Sequence, residues 1–250
     1  MKLLRDSWLV FARQMALVLR NPVWLIVGVM QPLYFLLLFG PLLKGVANLP
    51  GGNAYQFFVP GLLVQLAMFG TLFVGFALIA ELRAGVIERM RVTPVSRLAL
   101  LLGRSGRDVA SLLVQAAIMT ALSVPFGLTV KLGSLLLAFA MLALIALMLS
   151  AVSYAVALIL RSEDALAPLM NAVSMPVLLL SGILLPMQFG PHWLRVVSKW
   201  NPFWWAVDAA RALFQGRPGD PHVWQALTIL GTLTVLAAVW SARMFARSVR

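Results

Sequence analysis

The 250-residue chain contains no cysteine. That excludes a disulfide framework, a thiolate nucleophile and a cysteine-ligated metal. Acid is also scarce: eight Asp and Glu stand against twenty Lys and Arg, for a net charge of +12. The two histidines, His192 and His222, fall in one segment between apolar runs. Neither a metal cluster nor a Ser–His pair is therefore expected within those runs. GxSxG and HExxH are absent, and so is GxxxxGK[ST], the loop that would cradle nucleotide phosphates. What fills the chain is apolar sequence, 62% hydrophobic with only 11% charged, where soluble domains hold about half. Such a chain cannot bury its apolar surface in one soluble core. The expected fold is an all-α integral membrane protein, one transmembrane domain over residues 1–250.

Runs of about 20 apolar residues cross a bilayer. Six are expected, at 23–43, 57–80, 109–130, 133–160, 165–185 and 223–242. Asn21-Pro22 caps the first, and Pro32 is expected to kink it. Residues 44–56 read as a loop, 131–133 as a tight turn, and 161–164 as a short polar break. Residues 1–20 do not read as a signal peptide, because Arg5, Asp6, Arg13 and Arg20 interrupt any apolar core. On a helix, Leu4, Trp8, Phe11, Met15 and Val18 form one stripe, with Lys2, Asp6, Arg13 and Arg20 opposite. That pattern suits an amphipathic helix lying in the membrane interface; a soluble helix packed on a partner is the alternative.

The cations are unevenly shared between the two ends of the spans. Fourteen fall with the chain termini, with residues 83–107 and at Arg161, and six fall on the other side. The richer side is expected to be cytoplasmic, with both termini inside and the chain in the plasma membrane, the inner membrane of a bacterium. The basic balance is thus a topology signal, and no nucleic-acid partner is needed to explain it.

Residues 81–104, ELRAGVIERMRVTPVSRLALLLGR, form a charged insertion between spans two and three. Glu81 and Glu88, seven apart, are expected on one helical face. Thr93-Pro94 breaks that helix, and Ser96 can cap a second one. A projecting element of this kind suits docking on a soluble partner; an ordinary basic surface loop is the bland alternative. On the opposite side, residues 186–221 are punctuated by Gly190-Pro191 and Asn201-Pro202 and crowded with Trp193, Trp200, Phe203, Trp204 and Trp205. Helices at 192–199 and 203–215, too short to span, are expected to dip into the outer leaflet and return, covered by protein. Asp208 and Arg211, three apart, are expected to pair.

No acid is expected near the middle of a span, where an ion-coupled transporter would place one. Gln65, Gln115, Ser150, Ser153, Tyr154 and Asn171 are mild polar groups that line a path or hydrogen-bond helix to helix. A mover of molecules without a coupling ion and without its own phosphate-binding loop requires a separate ATPase subunit.

With these features in place, nearly the whole chain resembles the membrane subunit (permease) of type-2 ATP-binding-cassette exporters. That group includes daunorubicin-resistance-like and lipooligosaccharide-exporter-like permeases. The resemblance is carried by the amphipathic N-terminal helix, Phe58-Val59-Pro60-Gly61, Glu88-Arg89 followed by Thr93-Pro94-Val95-Ser96-Arg97, Ser181-Gly182 through Pro186, and Asn201-Pro202 followed by Asp208 and Arg211. It implies that residues 81–104 hold a cytoplasmic coupling helix seated on the ATPase subunit. Glu81, Arg83, Glu88, Arg89 and Arg91 would make contact there, and Thr93-Pro94 would shape the turn. It also implies two permeases, as a homodimer, and two ATPase subunits, with ATP and Mg bound by the partner and no cofactor or metal on this chain. Asn201, Pro202, Asp208 and Arg211 would belong to outer re-entrant helices closing the path, with Gln65, Gln115, Tyr154 and Asn171 as candidate path residues. Leu, Val and Ala in the spans favour a lipophilic or amphipathic cargo such as a drug, lipid or glycolipid. The competing readings are a lipid-acting membrane enzyme using His192, Asp208 or His222, and a membrane protein without transport.

Overall fold

The computed structural model describes residues 2–44, 54–85, 97–184 and 186–248. Among these are ten α-helices and no strand: α1 (Lys2–Arg20), α2 (Val23–Lys44), α3 (Ala54–Leu72), α4 (Gly75–Arg83), α5 (Arg97–Ser123), α6 (Leu132–Leu160), α7 (Glu163–Leu180), α8 (His192–Ser198), α9 (Pro202–Phe214) and α10 (Pro221–Ser248). Six stretches are long and apolar enough to cross a membrane: Leu25–Leu42, Ala54–Arg83, Leu98–Phe126, Leu132–Leu160, Glu163–Leu180 and Pro221–Phe245. The all-α, six-span expectation holds.

Two helices form the centre. α3 is buried around nearly its whole circumference, as an all-apolar helix must be when it sits inside a bundle. α6 packs against α3, α4, α5, α9 and α10. Around them the outer helices are one-sided. α2 turns Val29, Pro32, Leu36 and Gly40 inward at a three-to-four-residue spacing, and leaves Ile26, Leu37, Leu38 and Leu42 exposed. α7 likewise exposes Leu169, Val173, Met175 and Leu179. α2 continues through Pro32 and Pro41 without a break.

Several boundaries differ from the hydropathy reading. The second span is longer, 54–83, and is interrupted at Phe73-Val74 where α3 gives way to α4. The interruption sits beside a close approach. The Gly75 amide donates to Ser153 Oγ on α6 at 2.9 Å, and a Cβ at Gly75 would lie 2.8 Å from the Ser153 carbonyl oxygen. The helix of the third span, α5, begins at Arg97 rather than residue 109, because Arg104, Arg107 and Asp108 are accommodated inside the helix by partners described below. It ends at Ser123, followed by a single 3-10 turn (Val124–Phe126) and Gly127 in the left-handed region. The connection to α6 is therefore longer than the expected three-residue turn. The polar break at 161–164 is reduced to Arg161 and Ser162, Arg161 capping α6 at φ 51°. Glu163 and Asp164 occupy the first turn of α7, where negative charge complements the helix dipole.

α1 departs from the simple two-face reading. It lies on α5, where Gly103 lets it come close: a Cβ there would be 2.7 Å from Val10 Cβ and 2.8 Å from the Ser7 carbonyl oxygen. Asp6, assigned by pattern to the solvent-facing cationic side, is buried, as is Gln14. The docking face lies between the apolar and polar stripes, so Leu4 and Trp8 of the apolar stripe remain exposed.

Candidate functional site

Chain direction places both described ends, the α4–α5 junction and the α6–α7 junction at one end of the bundle. Side-chain contacts across helices agree. Gln14 of α1 donates to Glu81 Oε1 on α4 at 3.3 Å. Arg83, also on α4, pairs with Glu163 at the start of α7 at 3.4 Å, both groups substantially exposed.

The helix expected to carry Glu81 and Glu88 together does not continue that far. Gly85 adopts φ 65°, the left-handed conformation that glycine takes at a helix C-terminus. The amides of Ala84 and Gly85 close α4 on the carbonyls of Ala80 and Leu82 at 3.0 and 3.1 Å. Glu81 therefore belongs to the spanning helix and not to a separate charged helix shared with Glu88. Its carboxylate pairs with Arg104 of α5, whose side chain is only 3% exposed. Glu88, Arg89, Arg91, Thr93 and Pro94 lie outside the described residues.

One helical turn deeper, Arg107 pairs with Asp108, and the Tyr154 hydroxyl of α6 donates to Asp108 Oδ2. Arg107 Nη2 also donates to the Tyr154 hydroxyl oxygen at 3.4 Å, and Ser105 and Ser150 meet at 3.5 Å. Asp108 is 3% exposed. Asp108, expected just outside a third span that starts at residue 109, is instead a buried carboxylate inside that span, balanced by a neighbouring guanidinium. This is how charge is tolerated in a low-dielectric interior.

At the other end, Asn201 caps α9. Its Oδ1 accepts from the Phe203 amide at 3.0 Å, with Pro202 in the first turn, and its Nδ2 donates to the Val177 carbonyl of α7 at 2.7 Å. The expected Asp208–Arg211 ion pair is not formed. Arg211 instead donates to the Phe57 carbonyl at 3.2 Å and to the Gly182 and Ile183 carbonyls at 2.8 and 3.4 Å. Its guanidinium also covers the Phe57 ring at 3.8 Å. The side chain is long enough to leave α9 and stitch it to α3 and to the turn after α7, where Gly182 takes φ 75°. Asp208 faces His222 Nδ1 at 3.2 Å, and Asp220 approaches the same nitrogen at 3.4 Å. His192 takes no part in that cluster among the described residues.

The four candidate path residues separate. Gln65 and Tyr154 are buried inside the chain, and Gln115 is buried while donating to the Leu25 carbonyl of α2 at 3.1 Å. That contact is close enough that a Cβ on Gly28 would reach 2.4 Å from Gln115 Nε2. Asn171 alone is exposed, among the apolar residues of α7. The inward pairing of Glu81 was missed at the sequence level. Gly85 was the signal that could have found it, since it closes α4 only four residues after Glu81.

Six helices long and apolar enough to cross a bilayer, with no strand among the described residues, define a multi-pass α-helical membrane protein. The chain belongs to the ABC-2 type transporter family, which it matches over residues 5–214. It is 31% identical over 201 residues to the transport permease ycf38 of Cyanophora paradoxa, covering 78% of this chain and 69% of that protein. It is 29% identical over 226 residues to the daunorubicin resistance ABC transporter permease protein DrrB1 of Streptomyces coeruleorubidus, covering 90% of this chain and 80% of that protein. The chain is a permease subunit of an ABC exporter, and membership of the family implies an ATP-binding partner subunit.

Proposed function

We propose that this permease exports a lipophilic or amphipathic molecule from the cytoplasm or inner leaflet, working as a homodimer with two copies of a separate ATPase subunit that binds ATP and Mg. The observation that carries this reading is the family match over most of a chain that has no phosphate-binding loop of its own. Leu, Val and Ala dominate the spans, and one relative is named for daunorubicin resistance; both support a drug-like or lipid-like cargo. Asn171 supports pairing of two copies. A side-chain amide on an otherwise apolar exposed face is costly in lipid, so the α7 face suits a path or partner copy better than acyl chains.

In this reading the segment between α4 and α5 faces the cytoplasm with both termini, in the bacterial inner membrane. Arg83, Glu88, Arg89 and Arg91, with Thr93-Pro94, meet the ATPase subunit. α1 lies in the membrane interface, with Leu4 and Trp8 toward lipid. α8 and α9, about 10 and 20 Å long at 1.5 Å per residue, close the outer end as re-entrant helices with Asn201, Pro202, Asp208 and Arg211.

The test is a Glu88→Arg/Arg89→Glu double substitution in the permease co-expressed with its ATPase subunit. Membrane insertion is expected to be normal, with ATP hydrolysis no longer driving export. Unimpaired export would overturn the reading. Turnover of lipid by the isolated chain, lost on His222→Ala, would favour the membrane-enzyme alternative instead.

A further inference from the structure

The two helices that flank the charged segment in sequence, α4 and α5, are joined to each other beside it. Glu81, two residues before the end of α4, pairs with Arg104, seven residues into α5. Gln14 of α1 holds the other carboxylate oxygen at 3.3 Å. Three helices thus converge on one carboxylate at the point where the segment meets the membrane-embedded bundle. The arginine side of the pair is almost completely buried, so its charge is little screened by solvent or salt.

The next turn of α5 repeats the arrangement on the opposite neighbour. Arg107 and Asp108 engage Tyr154 of α6. α5 is therefore tied to α4 and α1 at one level and to α6 at the level below, each time by a charge-balanced cluster.

We propose that Glu81, Arg104 and Gln14 form a clamp that makes the foot of the coupling segment a rigid lever. A displacement imposed on the segment then moves α1, α4 and α5 together, and the Asp108–Tyr154 contact passes it to the central helix α6. Without the clamp, the turn at Gly85 and the interruption at Phe73-Val74 leave α4 joined to its neighbours in the chain by a pliable connection at either end. The displacement is then absorbed locally. Glu81 and Arg104 are positioning residues: they act through the helices they join. This inference rests on the coupling reading above, and it adds that the segment's force is transmitted through its base as well as its surface.

Because the chain lacks cysteine, one introduced thiol reports without background from the permease. Trp200, at the outer end, is 86% exposed, and Trp200→Cys supplies that thiol. The permease–ATPase complex in proteoliposomes is treated with a membrane-impermeant maleimide, with and without ATP and vanadate. The readout is the nucleotide-dependent change in labelling of the permease band, divided by the ATP hydrolysed.

On the Trp200→Cys background, Glu81→Gln and Arg104→Gln are each expected to assemble with the ATPase subunit. Their ratio should fall at least roughly fivefold, the low end of usual site-to-site coupling. Arg104→Lys, which keeps the charge, should retain most of it. An unchanged ratio in both Gln variants overturns the proposal, as does an equal loss in Arg104→Lys. Failure of all three to assemble reduces the pair to a folding contact and overturns it too. Glu88→Arg/Arg89→Glu separates the two claims. A normal ratio in that variant sinks the docking reading, whereas its loss beside normal Gln variants sinks the clamp alone.

Discussion

The end of this bundle that carries the chain termini, inner in the reading proposed above, and the opposite, outer end are fastened by different chemistry. At the inner end, side chain meets side chain in charge-balanced sets: Glu81 with Arg104, Asp108 with Arg107 and Tyr154, Arg83 with Glu163. At the outer end, beside the more exposed pairing of His222 with Asp208 and Asp220, polar side chains reach for backbone. Arg211 holds the Phe57, Gly182 and Ile183 carbonyls, and Asn201 holds Val177. The reason lies in what each end must satisfy. Short helices and turns at the outer end leave terminal carbonyls that no helix ladder can pair, and long donors close them. At the inner end the described helix C-termini of α4 and α6 close on their own backbone, through the amides of Ala84, Gly85 and Arg161, so polar side chains are left to lock helix against helix. An ion pair between helices has strength that depends on register, whereas a donor aimed at turn carbonyls mainly preserves local shape.

Substitutions can break or sharpen this contrast. Arg104→Ala is expected to be the most damaging, leaving Glu81 without its buried partner at a cost of about 3–5 kcal/mol; denaturant titration in detergent would measure it. Arg211→Ala should cost on the order of 2–3 kcal/mol by orphaning carbonyls. Arg211→Lys should recover little, because one ammonium cannot reproduce the spread donors of a guanidinium. If Lys restored Arg211 fully, the outer end would be held by charge and the contrast would collapse. Gly103→Leu should cost about 2 kcal/mol through overpacking. Its effect should be local, appearing as faster proteolysis within residues 2–20 while the spans stay protected. Arg83→Ala, which removes an exposed pair, should change stability by less than about 1 kcal/mol; a larger loss would show that even the solvent-facing inner charges lock helices.

Much of the fold was legible in the sequence. Hydropathy located all six crossings, and the Asn201-Pro202 signal located the start of α9, because a cap and a first-turn proline act through their own backbone. The errors share a cause. The helix of the third span starts twelve residues before the hydropathy reading puts it, because Arg104 and Arg107 count there with the charged end, and nothing local shows that Arg104, Arg107 and Asp108 each have a partner on another helix. Asp208 and Arg211 were paired because they lie three apart, but Arg211 found better acceptors on α3 and after α7. Asp6 was placed with the cations by the wheel pattern, yet the face of α1 that docks is chosen by the groove at Gly103.

The sequence alone determined which six segments are apolar enough to cross a membrane and which ends of them carry the positive charge. Those properties follow from local composition, since each segment answers to its solvent almost independently of the others. Only the tertiary structure decided which charges meet. That depends on how each helix is rotated and shifted against its neighbours, and a run of apolar residues leaves both nearly free until the helices pack.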